Sequence, residues 1–439
     1  KQLAQDNNSI HYAVEMAAPS SCPLPEFGSQ AGGYYDVVVV AERPPIGRIG
    51  HLLDSYGLKG RHPIIIYLGR VTILQRQEWS SYCYQEKLTA LLIDELLLYY
   101  LATQRDDRLP AAISCAIAWG YAVPYRSFGV IPPELFKGRR EMISQLGTAG
   151  GACIVYGGRQ LGKSVLLRSV QHKYHHPDLE TYVLYEDIRN LGDPQSVQDN
   201  DKSRLWLLLR QQMVASGLLT DRCQEDPDII MEAVKKMMEK CPNRRIILLL
   251  DEADSFLNAD AITNFEDVNR LRRLMDETRR NFKVVLCGLH GVQRYCSGEN
   301  HPFAQMMDKP VVVGPLEPLS ATMLIEQPMS AVGFSFSSEE SHRAVLRILS
   351  YTNYHPALIQ HFCAEIIKLV RKKQHQPPYR VTVSDVEAIY RQEEVRRVMN
   401  ERFQWTLALD TRYETIVYSM IEEQYQERDG FRREFSASE

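Results

Sequence analysis

The sequence predicts an α/β protein. A smaller module comes first and a larger one second, each built on a parallel sheet covered by helices, and a helical segment follows. Three observations carry that prediction. Apolar runs of strand length alternate with stretches of helical spacing from residue 35 onward. A glycine-rich loop, Gly157 to Ser164, stands between one such run and a helix. A further run, Arg245 to Leu250, ends on the acidic pair Asp251 and Glu252. The 439 residues allow roughly three domains at about 150 residues each. Hydrophobic content of 44% and charged content of 24% exclude a mostly disordered, collagen-like or purely coiled-coil chain. A net charge of −4 excludes a polycation that coats nucleic acid through bulk charge, though not a local basic face.

Residues 1–34, with Pro and Gly frequent from Pro19 to Gly33, read as a poorly ordered leader. Residues 35–126 form the small α/β module. Tyr35–Ala41, His62–Leu68 and Leu88–Asp94 are strand runs, and Ile46–Tyr56, Ile73–Glu86 and Glu95–Thr103 have helical spacing between and after them. The uncharged run Leu109–Tyr125 is 17 residues long, holds Pro110 and Gly120, and falls short of the roughly 20 apolar residues of a membrane span; it reads as buried strand and loop. Residues 127–137, with Gly129, Pro132 and Pro133, are the linker. The larger α/β pattern runs over 138–318, and 319–400 is helical, with Ser338–Leu349, Ala357–Arg371 and Ser384–Arg397 as its helices. Ser384 and Glu387 have capping-box spacing. Residues 401–439 open on the aromatic-rich helical stretch Arg402–Gln424.

The nine cysteines form no CxxC pair and are odd in number, which argues against a zinc site or a disulfide scaffold and makes a reducing cytoplasm the default compartment. No signal peptide opens the chain, and no membrane partner is expected. The start at Lys1 suggests a piece of a longer protein.

Gly157-Gly158-Arg159-Gln160-Leu161-Gly162-Lys163-Ser164 fits GxxxxGK[ST]. It follows the run Ala152–Tyr156 and precedes the helical Val165–Val170, the strand–loop–helix context that the pattern requires. Gly157 and Gly162 let the backbone turn so that successive N–H groups face phosphate oxygens. The helix opening at Lys163 adds its positive end. Lys163 reaches the β/γ-phosphates, and Ser164 offers a hydroxyl to Mg²⁺. Residues 157–165, from Gly157 to Val165, are thus the candidate nucleotide contacts.

Asp251, 88 residues after Lys163, closes a buried strand at the position from which a carboxylate holds Mg²⁺, and Glu252 is placed to polarise an attacking water. Tyr182–Tyr185 and Lys283–Cys287 are further strands. One strand between loop and acidic pair sets the acidic strand away from the loop strand, with Lys283–Cys287 between them. A Glu directly after the Asp implies water as the nucleophile. After that strand, His290 is the candidate sensor of the γ-phosphate and Arg294 the second; a capping histidine is the competing reading. The arginines at 270, 272, 273, 279 and 280 read as a solvated helix face; the competing reading makes one of them an arginine finger on a neighbouring subunit. His172, His175 and His176 read as an exposed helix end.

Pro132–Arg139, the glycine loop, Leu248–Asp254 and Val284–Arg294 together resemble the STAND branch of AAA-related signalling ATPases, within the ASCE/AAA-like P-loop NTPases, and are similar to the archaeal and origin-recognition-type ATPases. The resemblance covers about residues 130–400. It implies that Phe136, Gly138 and Arg139 form the FxGR element near the adenine, and that 319–400 is a helical lid. Thr352–Gln360 matches the family's GxP region, keeping Pro356 but with Tyr354 in place of the glycine. It also implies a winged helix beginning in 401–439. The function that follows is an ATP- and Mg²⁺-dependent switch, slow in hydrolysis, that self-associates in the ATP state. It would answer an unknown trigger ligand or protein and control an attached effector or adaptor, the 35–126 module, as in bacterial signalling and antiviral defence. The alternative is a DNA-associated AAA+ ATPase (loader, initiator or transposition regulator), supported by five basic residues and one acid in Cys363–Arg380. A DEAD-type helicase is disfavoured, because nothing after residue 330 reads as a second α/β motor. A non-hydrolysing switch is disfavoured by intact Lys163, Asp251 and Glu252.

Overall fold

A computed structural model of the chain describes all residues except 7, 17–21, 42, 59, 106–107, 127–128, 192–203, 221–223, 290–291, 293–294, 296–308, 409–410 and 429–439. The chain divides into two compact units, residues 1–140 with 315–391 and residues 141–314 with 392–439.

The first unit holds a five-stranded sheet in the order β1 (Gln2–Asp6), β2 (Ser9–Glu15), β3 (Tyr34–Val40), β4 (Ile64–Tyr67) and β5 (Leu91–Asp94). β3, β4 and β5 are parallel, as their uninterrupted β-branched and Leu-rich runs predict. The segment expected as a poorly ordered leader instead supplies β1 and β2, which add antiparallel to β3. The signal is the alternation in Ser9–Glu15, where Ser9 and His11 face inward, and it is masked by the polar identity of those two residues. Helices Ile46–Ser55 and Ile73–Glu86 cross between the parallel strands. The second is closed by a Thr72/Gln75 capping box, and both cover a core centred on Val38, Ile49, Ile65, Trp79 and Leu92. Asp94 ends β5 by capping the next helix, Glu95–Thr103, through Leu97 N–H at 3.1 Å, and pairs with Arg76 at 2.9 Å.

Residues 109–125 do not contain a strand. Arg108–Ala116 is an α-helix, because Pro110 falls in its first turn, where a missing N–H costs nothing. The capping expected at Ser384 lies two residues earlier. Thr382 accepts from Asp385 N–H at 3.2 Å, Asp385 reaches back to Thr382 N–H at 3.1 Å, and the helix is Val383–Tyr390. A separate helix, Glu393–Leu407, follows after a break at Arg391 and Gln392.

Helix Pro318–Ala331 carries Pro328 in its interior. Pro328 has no N–H for the carbonyl of Leu324, four residues back. The hydroxyl of the buried Tyr125 takes that place, donating to Leu324 O at 3.1 Å and Ile325 O at 2.9 Å.

The second unit is a five-stranded parallel sheet flanked by helices. Its strands are β6 (Ile154–Gly157), β7 (Thr181–Asp187), β8 (Arg245–Asp251), β9 (Phe282–Gly288) and β10 (Val311–Val313), in the order β10-β6-β9-β8-β7. β9 therefore lies between the glycine-loop strand and the acidic strand, as the spacing predicts. Apolar side chains of β8 and β9 meet helices Arg204–Ala215, Pro227–Lys240 and Glu266–Glu277 in one core. One cation is buried with them. Lys283, 1% exposed, donates to the carbonyls of Gln145, Leu146 and Thr148 at 3.4, 2.9 and 2.6 Å, and Arg245 donates to Gly147 O at 2.8 Å. The two satisfy the open carbonyls at the end of helix Arg140–Gly147. Burial pushes the Lys283 ammonium down to about 8. No described helix is long and apolar enough to cross a membrane.

The Pro328 arrangement makes a sharp prediction. Tyr125→Phe removes a hydroxyl and leaves two buried carbonyls short of a donor, so the chain should lose about 1–3 kcal/mol in urea denaturation. The double variant Tyr125→Phe/Pro328→Ala, which restores the helix N–H, should recover part of that loss; no recovery would show that the hydroxyl does not serve the proline gap.

Candidate nucleotide site

Because the strands of the second unit are parallel, their carboxyl ends share one edge, where open α/β sheets hold ligands. Gly157 closes β6 opposite Val313 of β10, Tyr156 pairs with Gly288 of β9, and Asp187 of β7 pairs with Asp251 of β8. Gly157 is required there, since a Cβ would sit 2.2 Å from the Val313 carbonyl oxygen. The loop then turns through two left-handed residues, Gln160 at φ +57° and Gly162 at φ +92°, into helix Lys163–Tyr174. Arg159 and Gln160 are exposed at its tip, while Gly158, Leu161, Ser164 and Val165 are half-buried.

Lys163 heads the helix and is 6% exposed. Its ammonium folds back over the loop, donating to Gly157 O at 3.0 Å and Gly158 O at 2.9 Å. The cation is thus held at the mouth of the loop by two neutral carbonyls, beside the helix's unsatisfied N–H groups.

Asp251 is 1% exposed. Its Oδ2 accepts from the Tyr185 hydroxyl at 2.8 Å and its Oδ1 from Glu252 N–H at 3.0 Å. The Cys287 thiol at the end of β9 also touches the Asp251 carboxylate and is pushed far up, by burial first and by Asp251 second. Glu252 sits at φ +56°, a left-handed conformation that a side chain seldom adopts. Its carboxyl is raised above the usual range, first by burial and then by the Asp251 charge, while Lys163 and Arg189 pull the other way. Lys163, Asp251 and Glu252, predicted separately from the sequence, therefore lie within one another's electrostatic reach.

Five residues of this edge were not predicted. Tyr185 holds Asp251, and the Arg168 guanidinium stacks over its ring at 4.2 Å. Asp187 holds Arg189 in a fork, at 3.0 Å from Nε and 2.6 Å from Nη2, and that cation faces Asp251 and Glu252. Asp254 opens helix Asp254–Ile262 and reaches across to the chain leaving β9, accepting from Leu289 N–H at 2.6 Å and Val292 N–H at 3.4 Å. The available signal was the acid at the end of the Thr181–Asp187 strand and the third acid of the Asp251–Asp254 run.

His290 and Arg294 lie outside the described residues. Phe136, Arg139 and Pro356 belong to the first unit. Phe136 follows a 3₁₀ turn at Pro133–Leu135, Arg139 has φ +60° with its guanidinium pushed down to about 10 by burial, and Pro356 is the first residue of helix Pro356–Lys373. Tyr354, at the position where the resemblance puts glycine, has φ +58°, the conformation for which glycine is the favoured residue. Arg270 and Arg273 are engaged in ion pairs along their own helix surface, with Glu266 and Glu277 among their partners. His175 bonds the backbone of Val183.

Residues 147–295 match a protein-family model described as an AAA domain. Among solved structures, the chain is similar to a Walker-type ATPase of Pyrococcus abyssi, at 13% identity and a TM-score of 0.47 over 70% of this chain and 89% of that one. It is also similar to the Aeropyrum pernix ORC2 protein in ADPNP–ADP complexes, at 14% identity and a TM-score of 0.39 over 60% and 69%. A third is the Aeropyrum pernix ORC1 protein in complex with DNA, at 14% identity and a TM-score of 0.37 over 59% and 67%. No curated protein matches the chain.

Asp254→Ala should free the Leu289 and Val292 amides. Their hydrogen exchange should accelerate by roughly tenfold for each 1.4 kcal/mol lost, while exchange in β8 stays as it is. Unchanged exchange at both amides would reject the tie between the acidic run and the chain after β9.

Proposed function

We propose that the chain is an ATP-binding and hydrolysing molecular switch of the STAND/AAA type, which self-associates in the ATP state and transmits that state to an attached effector. The observation that carries the reading is the convergence of Lys163 with Asp251 and Glu252 at one sheet edge. Lys163 and the loop amides bind the triphosphate, Lys163 as a point charge on the β/γ-phosphates. The residues present fit Mg²⁺. Asp251 is a carboxylate with three donors for about four lone-pair sites, and it and the Ser164 hydroxyl would supply oxygen ligands of the kind a hard cation takes. The ion so held supplies charge neutralisation at the phosphates. Glu252 accepts the proton of the attacking water. Its raised carboxyl makes it a stronger base than an ordinary glutamate once ionised. The Arg189 charge acts on Glu252 and favours its ionised form.

Lys163→Ala should abolish ATP binding or weaken it at least a hundredfold in calorimetry, since the loop loses its fixed cation; unchanged affinity would remove the site. Glu252→Gln should keep binding but slow single-turnover hydrolysis by about 10²–10⁴-fold. The acid limb of the wild-type rate profile should lie above 4.5, the ordinary glutamate value, because the folded environment holds the proton more tightly. A limb at or below that value would assign the base elsewhere.

A second reading, a DNA-associated AAA+ ATPase, is favoured by Cys363–Arg380, where Lys372 and Arg380 are exposed. Under that reading duplex binding falls steeply with salt; salt-independent or absent binding excludes it.

A further inference from the structure

A cleft lined by polar residues lies in the first unit, between helix Ile73–Glu86 and the end of helix Pro356–Lys373, with a volume of about 410 Å³. One wall is the stripe Gln77, Ser80, Ser81 and Tyr84, spaced i, i+3, i+4 and i+7 on one helix face. The other wall brings Arg371, Lys372 and His375. No carboxylate lines it.

Arg371 is 5% exposed. Its Nη1 and Nη2 donate to the carbonyls of Ala122 and Val332, both at 2.9 Å. Its Nε is buried with no hydrogen-bond partner. The rings of Tyr84 and Tyr379 flank the guanidinium at 6.0 and 5.5 Å. Among the described residues no carboxylate pairs with it. A buried cation that meets only neutral dipoles and aromatic faces is left without a counter-charge, a costly state. The cleft it lines is cationic and rich in neutral donors.

We propose that this cleft binds a phosphorylated small molecule of mononucleotide or sugar-phosphate size, whose phosphoryl group supplies the counter-charge. Lys372 and His375 stand at the rim to draw in the anion. Ser80 and Gln77 offer a hydroxyl and an amide to phosphoryl oxygens. The volume lies in the range of about 300–1,000 Å³ typical of small-ligand sites, and a concave cleft of that size suits a compact ligand better than a long polyanion.

The test uses the full chain carrying Lys163→Ala, so that the glycine loop is disabled, with inorganic phosphate and AMP as probes in calorimetry. The expected result is saturable binding of both, weakened at least tenfold by Lys372→Glu and by Gln77→Glu, with ligand-free melting temperatures unchanged. Lys372 is exposed, so its variant alone decides if Gln77→Glu fails to fold. The proposal is overturned if neither probe binds, or if binding is the same in Lys372→Glu. It is also overturned if AMP binding seen in the unmodified chain vanishes with Lys163→Ala, which would place it at the glycine loop. Binding of a duplex oligonucleotide in place of AMP, lost in Lys372→Glu, would assign the cleft to a nucleic-acid backbone instead.

Discussion

Parallel pairing of β6, β9 and β8 is the constraint on which the nucleotide site depends. Lys163 and Asp251 are far apart in the chain, and no local preference brings them together. β9 does so by bonding to both neighbours, with Tyr156 opposite Gly288 and Leu250 opposite Leu286. A one-residue slip of either pairing would turn every side chain to the opposite face and withdraw the acidic pair from the loop. The register is held by burial on both faces of β9, whose seven residues are all inaccessible, and by the contact of Gly157 with the Val313 carbonyl, which tolerates no side chain.

Within that frame the protein's own groups fix the charges of the site. The Lys163 ammonium points at loop oxygens, and Asp251 is fixed by a phenol and a backbone amide. Glu252 is the strained member. A left-handed backbone and a half-buried carboxyl next to another acid are both unfavourable, and such departures persist where the surroundings over-determine them. The stretch that matches the AAA-domain model, residues 147–295, contains all three residues.

The sequence carried the parallel strands, the helices between them and the Lys163–Asp251–Glu252 constellation, because each is encoded locally by apolar runs, glycines and acids at strand ends. It did not reveal what depends on distant partners. β1 and β2 become strands only because β3 offers an edge, and their inward residues are Ser9 and His11, not apolar ones. Helix Arg108–Ala116 was hidden by a proline that reads as a breaker but sits in a first turn. Tyr185 and Asp254 gain their roles from contacts with Asp251 and with the Leu289 and Val292 amides, and Arg189 from its charge near Asp251 and Glu252, none of which their own neighbours in sequence announce.

Lys283 gives β9 a second significance. Apart from that one cation, Phe282–Gly288 is a short, uncharged, β-prone segment of the kind that self-associates when a newly made chain is still open. A charge inside such a segment repels an identical strand of another molecule and so works as a gatekeeper against aggregation. Folding then gives the same ammonium three carbonyl partners, so the residue that keeps unfolded copies apart also anchors the helix that leads into the sheet.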